Sequence, residues 1–424
     1  MKLLVTVLGR RPSQYVKVLW RVGDVRYHQP CGPPARALVQ HERVTHALLV
    51  IPDSLIEPQA ESDLAQEWAI ELDGYFEPLV LPSRYAPRVE GNVLDFYYAA
   101  LFHFADWFRK HTPAPEQPLT VVLEGSTGLN VLQLLLYRAV LDFTQALAYT
   151  REVELKVYTA DPVNEQMAGR DVALYLTESR PVIPALPRLD LQQGTGLLLP
   201  SEIVGRDYDF RAKRDELGRH WHWDDLRAFL AAVYQGIPLG ILTWYPTQAE
   251  AAWKVLDELY KYACRKTESH DGKRVRQVEL TEWWRAYALG MLLATELQTH
   301  FGEVLDKWKQ RGLATLQDLG KLVDRLYRHT PVLRNRFRAE RAIRGIDVES
   351  VSLPAFLADI MRGSAGQAGK AVERRPDKRN FFAHMGFERN AVEVDLIPTP
   401  DSQIGFRYSQ GSEKTIQKLL RNSI

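Results

Sequence analysis

Between Arg379 and His384 the chain reads Arg-Asn-Phe-Phe-Ala-His, which puts a guanidinium, an amide and an imidazole within six residues. Arginine offers a planar fork of donors to an anion, and histidine exchanges a proton near neutral pH. No Cys/His cluster at zinc spacing accompanies them. The chemistry these residue types suggest is acid–base cleavage of a phosphodiester, with RNA supplying its own 2′-hydroxyl as nucleophile. DNA lacks that group and should be inert. An arginine and a histidine five apart also occur in many helices that catalyse nothing, so the surrounding elements must decide.

Those elements begin with the motif's own helix. Pro376 suits a first helical turn and Gly386 a C-terminal cap, which predicts a helix over about 377–385 with Phe381 and Phe382 packing inward. Five residues along such a helix turn through about 500°, leaving Arg379 and His384 roughly 140° apart. One short helix does not aim both at one point. Two copies facing each other across a two-fold axis would, because an isologous interface juxtaposes identical patches. The expected active unit is a homodimer, with higher oligomers open.

Composition sets the frame. At 424 residues the chain exceeds the size of one core, so two domains are expected. A net charge of +1 gives no whole-chain attraction for nucleic acid, and any basic site must be local. Cys31 and Cys264 are the only cysteines, too few for a disulfide framework, which points to a reducing, cytoplasmic setting. The apolar start from Met1 to Gly9 is too short for a signal peptide, and no run reaches transmembrane length, so no membrane partner is expected.

The first half reads as α/β. Apolar runs without alternation at Leu3 to Leu8, Ala47 to Ile51, Leu119 to Leu123 and Val153 to Tyr158 suit strands covered on both faces. Helical stretches at Leu94 to Arg109 and Leu129 to Tyr149 lie between them. This rhythm predicts a Rossmann-like, doubly wound, mainly parallel sheet, whose ligands bind beyond the carboxyl ends of the strands. Two strand ends carry suitable residues. One is Gly9-Arg10-Arg11-Pro12-Ser13-Gln14; the other is Glu124-Gly125-Ser126-Thr127-Gly128-Leu129-Asn130, which opens a helix whose free N–H groups suit an anion. Neither fits a dinucleotide fingerprint or a P-loop, and each alone reads equally well as a tight turn or a helix cap.

Pro181, Pro184 and Pro187, then Gln192-Gln193-Gly194-Thr195-Gly196, mark a boundary near residue 190. Residues 201–245 are mixed, with one helix expected from Asp224 to Gln235. The remainder is mainly helical, with helices expected over Thr247 to Lys266, Glu279 to Trp308, Leu322 to Arg344 and Pro354 to Arg362. Trp253, Trp283 and Trp284 are read as packing residues. His220-Trp221-His222 and the His41/His46 pair lack further ligands at metal spacing, so structural roles are expected. The arginines Arg334, Arg336, Arg338, Arg341 and Arg344 form a basic stretch that is either a solvated face or an aid to RNA attraction.

At this point the chain resembles the CARF–HEPN ancillary ribonucleases of type III CRISPR systems. Arg379 to His384 fits the HEPN pattern R-x4-6-H. Gly9 to Tyr15, Ser126-Thr127-Gly128-Leu129-Asn130 and Tyr158-Thr159-Ala160-Asp161-Pro162 resemble the CARF sensor. Thr127 departs from the histidine expected there in many relatives. The resemblance implies a CARF domain over 1–190, a connecting region over 191–245, and a mainly α-helical HEPN domain with a short β-hairpin over 246–424. It implies no cofactor, but an allosteric activator: a cyclic oligoadenylate, tetra-adenylate favoured and hexa-adenylate possible. Gly9, Arg10, Arg11, Ser13, Gln14, Ser126, Thr127, Gly128 and Asn130 would bind it. Arg379, Asn380 and His384 would cleave single-stranded RNA without a metal, leaving 2′,3′-cyclic phosphate ends. Two alternatives stay open: a sensing transcription regulator that cleaves nothing, and an enzyme that degrades the cyclic signal in its own CARF pocket.

Overall fold

The computed structural model describes residues 1–11, 14–27, 33–56, 76–85, 88–128, 130–191, 196–340, 346, 352–362, 375–397 and 403–423. Ser13, Leu129, Cys31, Arg341, Arg344 and the Gly/Ser-rich loop before the motif lie outside them. Two compact units emerge, one of residues 1–185, 191–212 and 257–292, the other of 186–190, 213–256 and 293–424.

In the first unit the strands are β1 Lys2–Val7, β2 Leu19–Val22, β3 Val25–Arg26, β4 His46–Pro52, β5 Phe76–Leu81, β6 Val89–Glu90, β7 Leu119–Glu124, β8 Val153–Ala160 and β9 Asp171–Pro181. All but β6 form one sheet in the order β3-β2-β9-β8-β7-β1-β4-β5. The run from β8 to β5 is parallel, while β9 enters antiparallel to β8. Leu3, Leu4, Val5 and Val7 are fully buried, as the unbroken apolar run in β1 requires. Helices α1 Ala35–Glu42, α2 Leu94–Lys110 and α3 Asn130–Leu147 complete the α/β layers. After β2 and β3, which lie beyond β9, the chain enters β4 and β5 on one side of β1 and then returns to β7 on the other. The switch point therefore lies between β1 and β7.

Two strands escape the apolar-run criterion for physical reasons. Pro78 interrupts β5, which is tolerated because β5 is the outer strand of the sheet among the described residues. β9 is long but has exposed residues along much of its length, so it lacks a continuous apolar signal.

The first unit also contains residues 257–292, which the sequence assigns to the C-terminal domain. The hairpin Thr267–His270/Lys273–Arg276 pairs in parallel with β6. Arg276 bonds the Asp53 carboxylate, whose other oxygen accepts from the Ser83 N–H and hydroxyl, each at 2.8 Å. Asp142 binds Arg285 at 2.9 Å, and Asp95 accepts from the Leu280 N–H at 2.7 Å. These pairings span more than 140 residues and have no local sequence signature.

The region 201–245, expected to be mixed, is helical, with helices Ser201–Arg206, Tyr208–His220, Trp223–Gln235 and Pro238–Thr243, and the second unit takes it up from residue 213. The helix expected over Leu322 to Arg344 is two, Leu316–Leu326 and Pro331–Ala339. The break is at Pro331, which lacks the N–H a continuous helix needs and instead starts the second helix. A four-stranded sheet carries the hairpin Val392–Leu396/Ile404–Tyr408. Trp253, Trp283 and Trp284 are buried, as packing residues should be. His222 caps its helix by accepting from the Asp224 N–H, and His220 bonds Gln248. Among the described residues no helix is long and apolar enough to cross a membrane.

Candidate functional site

The two strand-end segments meet at the switch point. Gly9 and Arg10 beyond β1, and Ser126, Thr127 and Gly128 beyond β7, line one pocket of ≈ 290 Å³ with Tyr15, Val16, Trp20, Asp161, Pro162 and Val163. Glycine is needed on both sides. A Cβ on Gly9 would lie 2.7 Å from the Cα and N of Gly128, and Gly128 itself has φ +100°. The Gly9 N–H donates to the Tyr15 hydroxyl at 3.0 Å, and burial pushes the Tyr15 phenol up to about 12. The ring thus stays neutral as it packs beneath the turn.

Thr127 has its hydroxyl turned inward, 2.7 Å from the Val7 carbonyl and 2.5 Å from Glu124 Oε2. Glu124 is fully buried and also accepts from the Thr6 hydroxyl at 2.8 Å and the Ser126 N–H at 2.6 Å. One carboxyl group therefore ties the 126–128 turn to β1. Thr127 shapes the pocket wall with a hydroxyl that is already engaged.

Arg11 and Gln14 fall elsewhere. They line a second pocket of ≈ 440 Å³ with Leu8, Gly9, Pro52, Ser54, Leu55, Tyr85 and Arg88. The Gln14 side chain accepts from the Arg11 N–H at 3.2 Å, closing the turn. Asn130 is exposed at the start of α3 and lines neither pocket.

The C-terminal motif occupies the helix Lys378–Ala383, capped by the Asp377 side chain accepting from the Asn380 N–H at 2.7 Å. Arg379 and Asn380 are exposed. His384 ends the helix with φ −106° and ψ 27°. Gly386 takes part in the C-terminal cap as expected: Met385 at φ 50° and Gly386 at φ +89° are both left-handed, and the Gly386 N–H closes the motif on the Phe381 carbonyl at 2.9 Å. Glycine at 386 is required by packing as well, since a Cβ there would come 2.5 Å from Ile237 Cγ2.

His384 is held by the residue that follows a different helix, Pro331–Ala339. Its Nδ1 lies 3.0 Å from Glu340 Oε2, so Asn380 is not what orients the ring through that nitrogen. Glu340 is buried, whereas the His384 side chain is 46% exposed. Arg336, four residues earlier, donates to the carbonyls of Phe382 and Ala383. Arg338 pairs with Asp324 at 2.7 Å. Two arginines of the basic stretch are therefore engaged within the protein. Glu340 was invisible to sequence reasoning because it lies 44 residues from His384 and belongs to no spacing pattern with it. Among the described residues, no group of three or more His, Cys, Asp or Glu could hold a metal ion.

Residues 3–162 match the family described as CRISPR system endoribonuclease Csx1, CARF domain. Over that span the chain is similar to the CARF domain of CRISPR ancillary ribonucleases. The matched span of the CARF domain includes every residue lining the two pockets except Val163, and it stops well before Arg379. A relative from Methanocaldococcus jannaschii, the CRISPR system endoribonuclease Csx1, is 22% identical over 352 residues, covering 79% of this chain and 69% of the relative. A solved structure, Enterococcus italicus Csm6 bound to cyclic hexa-2′-fluoro-hexa-dAMP, aligns over 82% of this chain and 84% of that one at 11% identity. Its TM-score is 0.25, too low to bear on fold or ligand.

Proposed function

We propose that this protein is an RNA endonuclease switched on by a cyclic oligoadenylate and working as a homodimer without a metal. The observation that carries the reading is the meeting of Gly9-Arg10 with Ser126-Thr127-Gly128 in one pocket at the switch point of a CARF domain. Arg10 and the Thr127 and Gly128 backbone of the turn suit the phosphates of such a ring, the Ser126 N–H being already engaged by Glu124. Arg11, Gln14 and Asn130 would reach it from the margins, and cyclic tetra-adenylate is the favoured size. Val131 and Leu134, three apart on α3, are exposed apolar side chains that a second copy would cover. Ligand binding must favour one arrangement of the pair for cleavage to respond to it.

The nuclease is a HEPN domain within 246–424, its chemistry supplied by the exposed Arg379, Asn380 and His384. The 2′-oxygen attacks the adjacent phosphorus as His384 takes its proton. The P–O5′ bond breaks, and the departing oxygen gains a proton from solvent or from the second chain's copy of the motif. Arg379 faces the charge that builds on the phosphoryl oxygens, and Asn380 holds the phosphate. Products are a 2′,3′-cyclic phosphate and a 5′-hydroxyl.

The test is cleavage of single-stranded RNA with cyclic tetra- or hexa-adenylate, with and without EDTA. Activator-dependent cleavage that survives EDTA, spares DNA and disappears in His384→Ala is expected. Cleavage retained by a folded His384→Ala protein would remove the site assignment, and loss in EDTA would remove the metal-free step.

A further inference from the structure

The contact between His384 and Glu340 says more than that the ring is held. A carboxylate oxygen can only accept, so the 3.0 Å contact requires the proton of the neutral imidazole to sit on Nδ1. The lone pair is then on Nε2, on a side chain that remains 46% exposed. Glu340 is itself buried and follows the helix Pro331–Ala339 directly. That helix also grips the motif through Arg336, which donates to the Phe382 and Ala383 carbonyls just before His384. One segment thus fixes both the backbone turn that carries the histidine and the tautomer of its ring.

We infer that Glu340 is a positioning residue that makes Nε2 the nitrogen of His384 that takes the 2′-hydroxyl proton. The inference rests on the nuclease reading for its catalytic consequence, while the tautomer itself stands apart from activity. Without Glu340 the ring is free to rotate and to place its proton on Nε2, where it cannot act as a base.

Histidine-selective 15N NMR of the full-length protein, assigned with His384→Gln, reads the tautomer directly. Wild type should show a protonated Nδ1 and a bare Nε2 in the neutral ring, and Glu340→Gln should shift population toward Nε2–H. In activated RNA cleavage, Glu340→Gln should lower kcat at least ~10-fold with KM little changed, given the ~10²–10⁴ that positioned proton transfer contributes. Glu340→Asp, which keeps the carboxylate, should retain more kcat than Glu340→Gln. Thermal melting establishes that the variants are folded. A His384 tautomer that is Nε2–H in wild type, or unchanged in Glu340→Gln, overturns the inference, as does an unaltered kcat. If wild type cleaves no RNA with any activator, the nuclease reading falls, and the NMR result still decides the role of Glu340.

Discussion

Replacing Gly9 with alanine would drive a methyl group into the backbone of the opposing loop. The new Cβ would lie 2.7 Å from both Cα and N of Gly128, against an ordinary contact of at least 3.4 Å. One of the two strand-end turns must therefore retreat by about 0.7 Å, and neither has a flexible side chain at the contact that could yield instead. The 126–128 turn is also tied to β1 through Glu124 and Thr127, so its retreat strains that network. Overpacking of this kind costs about 1–3 kcal/mol. Carried into the ligand-competent arrangement, it weakens binding by about fivefold to a hundredfold, since each 1.4 kcal/mol is a factor of ten. Calorimetric titration with cyclic tetra-adenylate measures the loss. Gly23→Ala is the control: its φ is +58° and a Cβ there meets no atom within 4 Å, so it carries backbone strain without a clash. Binding by Gly9→Ala within twofold of wild type would refute the argument that glycine-on-glycine contact builds the pocket.

Two further expectations concern pH and stability. Burial would push Glu42 up, but hydrogen bonds from Tyr158, Lys2 and Lys156 outweigh it and hold the carboxyl at about 2, against 4.5 when free. That stabilisation is present above pH 4.5 and is lost as pH falls toward 2; it amounts to roughly 3 kcal/mol. Glu42→Gln should lower the unfolding free energy in urea at pH 7 by up to that amount and flatten the acid limb, and an unchanged acid limb would contradict this. Asp95 is the opposite case. Burial pushes it up to about 7 from 3.8 despite the Leu280 N–H, so its contribution is greatest below pH 3.8 and is lost as pH rises through about 7. Asp95→Asn keeps an acceptor for that N–H and should raise the melting temperature at pH 8, the gap narrowing as pH falls; a lower melting temperature at pH 8 would count against it.

The sequence by itself determined what depends on neighbours along the chain. Continuous apolar runs gave β1, β4, β7 and β8, because strands covered on both faces cannot alternate. The residues after β1 and β7 could be expected to share a pocket because parallel strands open their carboxyl ends to the same edge of the sheet. The motif from Arg379 to His384 was legible from residue types alone. Tertiary structure decided what depends on chain segments far apart. It brought Gly9 against Gly128, sent Arg11 and Gln14 to a neighbouring pocket, and turned the Thr127 hydroxyl inward onto a buried carboxyl group. It joined residues 257–292 to the first unit through Asp53, Asp95 and Asp142, whose partners lie 143 to 223 residues away. It also supplied His384 with Glu340. No periodicity predicts such a contact, because side chains on separate helices meet only after packing has fixed where each helix ends.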